Sequence, residues 1–361
     1  GLRERFLDDF DINYYAAQSL YAESASPYGI EPGYGLRNTS NSFPFPAYYI
    51  YWLCSGAGRL SKPTAGLLFS LLNILAFGVM IIVSFLLVRR RQAWPDEDHS
   101  LTQMLWALAV VNSGAAGAIL SGQTGTLAAA AVLLGIYLSI RKEPEPSFFS
   151  ILPASLALAA GILIKPNFAI ALALFFTRPG SSRETGEARS GWMQRMVPLW
   201  AVLFCALFAA ATLILPGGVN AGTYRAFFPE VSPVLARKAG ASNNISAVGL
   251  LLGWLPGGVS PGLLAMGLLA VCAAAGWLSR WSWPQWLVVI LLVSPITWTS
   301  YTGVLLPVQL LLISRFASDS RYPLSGFSAV AGVGAVWIDQ TALGCAVLLI
   351  YLWLCYRHRR G

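Results

Sequence analysis

Long apolar runs, separated by short polar interruptions, dominate the chain. The clearest is Thr64 to Val88, which three consecutive arginines, Arg89-Arg90-Arg91, bring to an end. Leu101 to Leu120 and Thr124 to Ile140 follow. Only Ser121-Gly122-Gln123 joins them, which predicts a tight hairpin, with Ser121 placed to cap its second helix. Phe148 to Phe176 is too short for two ordinary spans, yet both its flanks carry positive charge. Lys165-Pro166-Asn167 lies in its middle. Proline removes a backbone donor and disfavours helix in the residue before it. The run is therefore predicted as two short helices meeting at this break, buried among other helices or facing water. Met196 to Leu215, Leu263 to Leu278, Trp286 to Ile296 and Val304 to Ile313 continue the series, and Asn244-Ile245-Ser246 opens another apolar stretch. Two weaker segments, Ala329 to Ile338 and Thr341 to Tyr356, complete it. Several of these runs are long enough to cross the hydrocarbon core of a bilayer. The pattern predicts an all-α, polytopic transmembrane helical bundle of about ten hydrophobic passes.

Residues 1–62 differ from the rest and are expected to form an outer loop with an interfacial helix over Asp11 to Tyr21, since Tyr14, Tyr15 and Tyr21 suit the headgroup level. A second short helix is expected at the aromatic run Tyr48 to Trp52, after Pro44-Phe45-Pro46. Residues 63–361 then make the bundle, with a second outer loop at about 216–245, in a single integral membrane domain over 1–361. The chain opens Gly1-Leu2-Arg3 without Met, and an outward start calls for a further span ahead of it.

Composition agrees with this pattern: of 361 residues, 56% are hydrophobic and 11% charged. An ordinary soluble domain carries about 25% charged residues. The formal charge of +8 sits in clusters beside the apolar runs, as at Arg89-Arg90-Arg91, Arg141-Lys142 and Arg359-Arg360. That is the positive-inside pattern, so it orients the protein and does not point to nucleic acid. Cys54, Cys205, Cys272, Cys345 and Cys355 lie in or beside apolar segments without a Cys-x-x-Cys spacing, which reads as small hydrophobes and not as disulfides or metal ligands. His99 and His358 fall in stretches assigned to the cytoplasmic side. No P-loop and no Gly-x-Gly-x-x-Gly before a helix is present, and nothing implies a metal or other cofactor.

Candidate chemistry gathers on one side of the membrane. Asp8, Asp9 and Asp11 place three carboxylates within four positions of an apolar protein. A carboxylate against an apolar wall can accept a hydroxyl proton. Asp11 is the first candidate base, with Asp9 and Asp8 as alternates; a solvated acidic loop is the plainer reading. Gln123, Lys165 and Asn167 fall at the two hairpin tips. A lysine at membrane depth is costly and usually holds an anion, such as a lipid phosphate, unless it snorkels to the interface. Asn244 and Ser246, with Trp298, Ser300 and Tyr301, form the remaining group. Gln123 and Asn244 could bond sugar hydroxyls or phosphate, or simply cap helices. Asn38-Thr39-Ser40 and Asn244-Ile245-Ser246 also match the glycosylation triplet, a pattern common by chance.

In order along the chain stand Asp11-x-x-x-Tyr15-Ala16, Pro27-Tyr28, the Pro-aromatic stretch Phe43 to Tyr49, and Gly122-Gln123. Ile164-Lys165-Pro166, Asn244-x-Ser246 and Ser294-Pro295-Ile296-x-Trp298-x-x-Tyr301 follow. Together they resemble glycosyltransferase family 87, alpha-mannosyltransferase-like membrane proteins of the GT-C class, over about residues 11–312. Each motif alone is weak; their order and their placement between spans carry the resemblance. It implies a GT-C bundle with its site on the extracytoplasmic face, in a bacterial inner membrane facing the periplasm. It implies a polyprenyl-phosphate sugar donor, typically mannose, and an inverting single displacement onto the hydroxyl of a glycan or glycolipid acceptor. Asp11 matches the carboxylate of the first outer loop and Lys165 the cation beside the donor phosphate. Gln123, Asn167, Asn244 and Ser246 then fall to donor binding, and Tyr15, Tyr28, Trp298, Ser300 and Tyr301 to the acceptor or pocket. The chain departs from the family at one point: members often carry Trp-Asp-His-Tyr after the Ser-Pro, whereas Trp298-Thr299-Ser300-Tyr301 stands here. That change bears on substrate identity and on activity. Two rivals stay open, a lipid or solute transporter with broken helices and a non-catalytic family member acting as a subunit.

Overall fold

The computed structural model describes residues 8–22, 45–91, 118–140, 148–177, 188–214, 238–241, 244–255, 259–279, 281–297, 299–318 and 341–357. These residues form helices and turns, with no strand among them. In chain order the α-helices are α1 (Asp8–Ala22), α2 (Phe45–Cys54), α3 (Lys62–Arg91), α4 (Gly125–Ser139), α5 (Phe148–Ile164) and α6 (Ala173–Thr177). After them come α7 (Ala188–Ile214), α8 (Ala247–Trp254), α9 (Pro261–Leu278), α10 (Trp283–Val293), α11 (Leu306–Ser318) and α12 (Thr341–Arg357). Two 3-10 segments, Pro166–Leu172 and Thr299–Leu305, precede α6 and α11.

Two helices are long and apolar enough to cross a membrane, over Lys62–Arg90 and Pro261–Leu278. Their outward faces support lipid contact: Leu75 on α3 is 68% exposed and Leu278 on α9 is 82% exposed, in rows of other large apolar side chains. Such continuous apolar faces are not left to water in a soluble monomer. Shorter apolar helices make up the rest of the described bundle. Most of the expected span 101–120 and all of Ala329 to Ile338 lie outside the described residues, as do His99, His358 and Asn38.

The core runs along α10, buried over its whole length. Its start lies three residues before the expected Trp286 because Gln285 closes the entry: its Oε1 accepts from the Ser282 backbone N–H at 3.1 Å. Gln285 Nε2 donates to the Cys355 carbonyl at 2.8 Å, tying α10 to α12. The tightest helix pair is α4 with α5, built on small residues that let backbones approach. A Cβ on Gly161 would stand 2.5 Å from Val132 Cγ2, and one on Gly135 would stand 2.6 Å from Leu158 Cγ.

The break in 148–177 takes the predicted place. Lys165 is extended (φ −140, ψ 95), as a residue before proline prefers. Pro166 sits at the start of the next helical segment, where its missing N–H costs nothing. That segment is a 3-10 turn and not a second full α-helix. Ser121 does not cap the hairpin's second helix; the cap position belongs to Thr124. The five cysteines are free thiols.

Candidate active site

Phe10 fixes the acidic segment. It is 1% exposed and its ring lies 5.8 Å from Tyr51 and 5.4 Å from Phe69, while Tyr51 and Phe69 stack at 4.6 Å. This aromatic cluster binds α1 to α2 and to the start of α3. A helix turns about 100° per residue, so Asp9 and Asp11, on either side of Phe10, point about 200° apart. They meet different partners. Asp11 Oδ2 pairs with Lys62 Nζ at 2.8 Å, in a bridge whose side chains are 37% and 38% exposed. Lys62 also lies over the Tyr15 ring at 5.5 Å, so Tyr15 belongs to this outer side. Asp9 is half-buried and faces inward, where Gln123 Nε2 donates to its Oδ2 at 2.6 Å.

The hairpin tip that carries Gln123 hangs from α2. Tyr51 Oη donates to the Gly122 carbonyl at 3.0 Å, and Gly122 takes the left-handed φ of 73 that this turn needs. Burial, with the Asp9 charge adding to it, pushes the Tyr51 hydroxyl well above its ordinary value and keeps it a donor.

Lys165 enters from the helix break. It is 3% exposed, and its Nζ donates to Tyr301 Oη at 3.2 Å and sits 4.8 Å from the centre of that ring. Asp9 is the carboxylate whose charge reaches Lys165, Tyr301 and Tyr51. It also reaches Lys238, whose charge in turn acts on Lys165. Burial pushes the Lys238 ammonium below its ordinary value, and Asp9 draws it part of the way back. Lys165, Lys238, Asp9 and Tyr301 therefore share one region, and its lysines can hold an anion when protonated.

Asn167 and Asn244 fasten this region. Asn167 Nδ2 donates to Ser294 Oγ at 3.1 Å. Asn244 Nδ2 donates to the Ala239 and Pro295 carbonyls at 2.7 and 2.9 Å. Its Oδ1 accepts from Ser246 Oγ and from the Thr297 backbone N–H, both at 2.9 Å. Ser246 Oγ also accepts from the Gly249 backbone N–H at 2.9 Å and so caps α8. Asn244 and Ser246, expected to hold donor, thus have their polar atoms engaged inside the protein as a strut between two turns. Tyr28 and Trp298 lie outside the described residues, and so do the side chains of Asp8 and Ser300. Reading the sequence missed Lys238, which looks there like one of several charges in a solvated loop.

The fold and the site together define a class: a protein whose described residues are helical, with long apolar outward faces and a cluster of Asp9, Gln123, Lys165, Lys238 and Tyr301. The chain belongs to glycosyltransferase family 87, whose model matches residues 44–295. The matched region contains Gln123, Lys165, Lys238 and Asn244, while Asp9 and Tyr301 flank it. As a glycosyltransferase the protein takes a sugar donor and an acceptor. No curated protein and no solved structure matches the chain.

Proposed function

We propose that the protein transfers a sugar, mannose in the first instance, from a polyprenyl phosphate to an acceptor hydroxyl, with Asp9 as the general base. The carrying observation is the placement of Asp9, paired with Gln123 at 2.6 Å and electrostatically linked to Lys165 and Lys238. Asp11 is the weaker candidate because Lys62 neutralises it on the outer side. In the transfer, the acceptor oxygen forms a bond to the sugar C1 as the bond from C1 to the phosphate oxygen breaks. The hydroxyl proton passes to Asp9, the electron pair leaves with the phosphate, and C1 inverts. Lys165 and Lys238 stabilise the charge that grows on the departing phosphate, as preorganised cations do for developing anions. The apolar bundle holds the prenyl tail, and the site opens to the extracytoplasmic face of a bacterial inner membrane.

Lysines supplying this charge would do the work that a metal ion does in other phosphate-leaving reactions. Transfer should persist in EDTA.

The test is transfer from radiolabelled polyprenyl-phosphate mannose in membranes holding wild type, Asp9→Asn or Asp11→Asn. A general base contributes about 10²- to 10⁴-fold, so Asp9→Asn should lose at least that lower factor while Asp11→Asn stays within about tenfold of wild type. The opposite pattern returns the base to Asp11.

A further inference from the structure

Lys238 is placed by its neighbours. The Asn244 amide holds the Ala239 carbonyl, next in the chain to Lys238, and also the Pro295 carbonyl and the Thr297 backbone N–H. Asn244, Ile245 and Ser246 are all buried. Two helices close on this turn, each through a glycine. On α8, a Cβ on Gly249 would stand 2.7 Å from Asn244 Cγ and Nδ2. On α12, a Cβ on Gly344 would stand 2.5 Å from Ile245 Cγ2, 2.6 Å from its Cβ and 3.5 Å from its Cα. Contacts under 3.0 Å are closer than packed carbon atoms allow, so the turn sits where it does because both positions lack a side chain.

α12 is poorly able to yield. It packs on α8, α10 and α11, and its Leu348 and Tyr351 are wholly buried. Tyr351 is hydrogen-bonded to Gln309 of α11, and Gln285 of α10 holds the Cys355 carbonyl. Ile245 is tied on its other side, where its backbone N–H donates to the Thr297 carbonyl at 2.9 Å. A side chain added at 344 therefore has to push the turn, and the push passes through Asn244 to the Ala239 carbonyl. Gly344 lies beyond the residues that the family model matches and, in the sequence, inside one of the two weaker apolar segments.

We infer that Gly344 is a positioning residue for Lys238: it lets α12 bear on Ile245, which seats Asn244, which holds the backbone beside the lysine. The task given to Lys238 rests on the glycosyl-transfer reading; its placement by α12 does not. A supporting contact that loosens a site by a fraction of an ångström weakens it without touching any reactant.

The first measurement needs no transfer. A cysteine replaces Lys238 in the full chain, with the five native cysteines changed to alanine, and its rate of reaction with a maleimide is followed in detergent. Lys238 is half-buried, so displacement of the turn should expose the position. Gly344→Ala should raise the rate fivefold or more. Adding Ile245→Gly leaves only the Cα at 3.5 Å from the new methyl and should bring the rate back within twofold of the parent. Ile245→Ala opens a gap instead of a clash and should raise the rate threefold or more. A rate within twofold of the parent in folded Gly344→Ala overturns the inference; if thermal unfolding shows that this protein does not fold, the same result in Ile245→Ala overturns it.

The second measurement is donor KM in a double-mutant cycle, which isolates coupling between two positions. Gly344→Ala should raise donor KM fivefold or more when Lys238 is present and less than twofold in Lys238→Met, with acceptor KM unmoved in both. An equal rise in the two backgrounds marks general damage to the fold and overturns the inference. The two measurements fail separately. Labelling that follows Gly344 as expected, without transfer from any lipid-phosphate sugar, removes the glycosyl-transfer reading and leaves the positioning role. Normal transfer with labelling and donor KM unmoved by Gly344→Ala removes the positioning role and leaves the enzyme.

Discussion

Lys165 and Lys238 come to the candidate site from different origins. Lys165 is fixed by a helix break, with its ammonium on the Tyr301 phenol. Lys238 is carried by a turn whose next residue, Ala239, is held through its carbonyl by Asn244. Burial lowers the proton affinity of Lys238, so its cation is present at low pH. It is lost as pH rises, earlier than for a solvated lysine. Donor KM is therefore expected to climb on the alkaline side, and Lys238→Arg, which keeps its charge, should move that limb to higher pH. A pH series of donor KM for the two proteins checks this. Lys238→Met should weaken donor at neutral pH by about tenfold, the order expected of one lost charge-assisted bond. The break was legible in the sequence because Lys165-Pro166-Asn167 interrupts an apolar run. The choice between Asp9 and Asp11 was not: spacing says they point apart, but only the docking of Phe10 says which one faces inward.

Among the elements, the α4–α5 pair and the α1–α2 dock are the two contacts on which site geometry depends. A side chain at Gly161 has to displace Val132 and the Ala128 carbonyl. Gly161→Leu should lower stability by about 1–3 kcal/mol, the ordinary cost of overpacking, and reduce transfer with it. Gly78 is the matched control: a Cβ there meets nothing within 4 Å, and Gly78→Ala should be neutral or slightly stabilising. Thermal unfolding in detergent measures both. Phe10→Ala removes a buried ring at a cost of about 3 kcal/mol and should release α1. Limited proteolysis within 8–22 should then accelerate before the bundle itself is cut. Helix positions were readable in the apolar pattern, since each run must hide or face lipid. Their ends were read less well where a side-chain bond sets them, as Gln285 does at the start of α10, because hydropathy does not register such bonds.

For the whole molecule, the consequence of lipid-facing helices is a fixed orientation. The proposed orientation puts the arginines after α3 inside and Lys238 outside, so single cysteines placed in a variant lacking the five native ones should label on opposite sides. A cysteine at Lys238 should react with a membrane-impermeant maleimide applied from the periplasmic side, and one at Arg90 only after the membrane is opened. Labelling of both from one side would refute the topology. The all-helical fold was legible from composition and run length. The convergence of five distant segments was visible only as an expected shared side of the membrane, because sequence patterns speak to the side of each loop and not to its distance from the others.

The site draws on positions 9, 123, 165, 238 and 301. A ribosome adds about 5–20 residues per second, so about 15–60 s separate synthesis of Asp9 from synthesis of Tyr301. During that interval the carboxylate has been made, but the phenol that holds Lys165 does not yet exist. In the proposed mechanism the growing chain is therefore silent until most of it has been made, and a message cut short before Tyr301 is expected to yield an inert product.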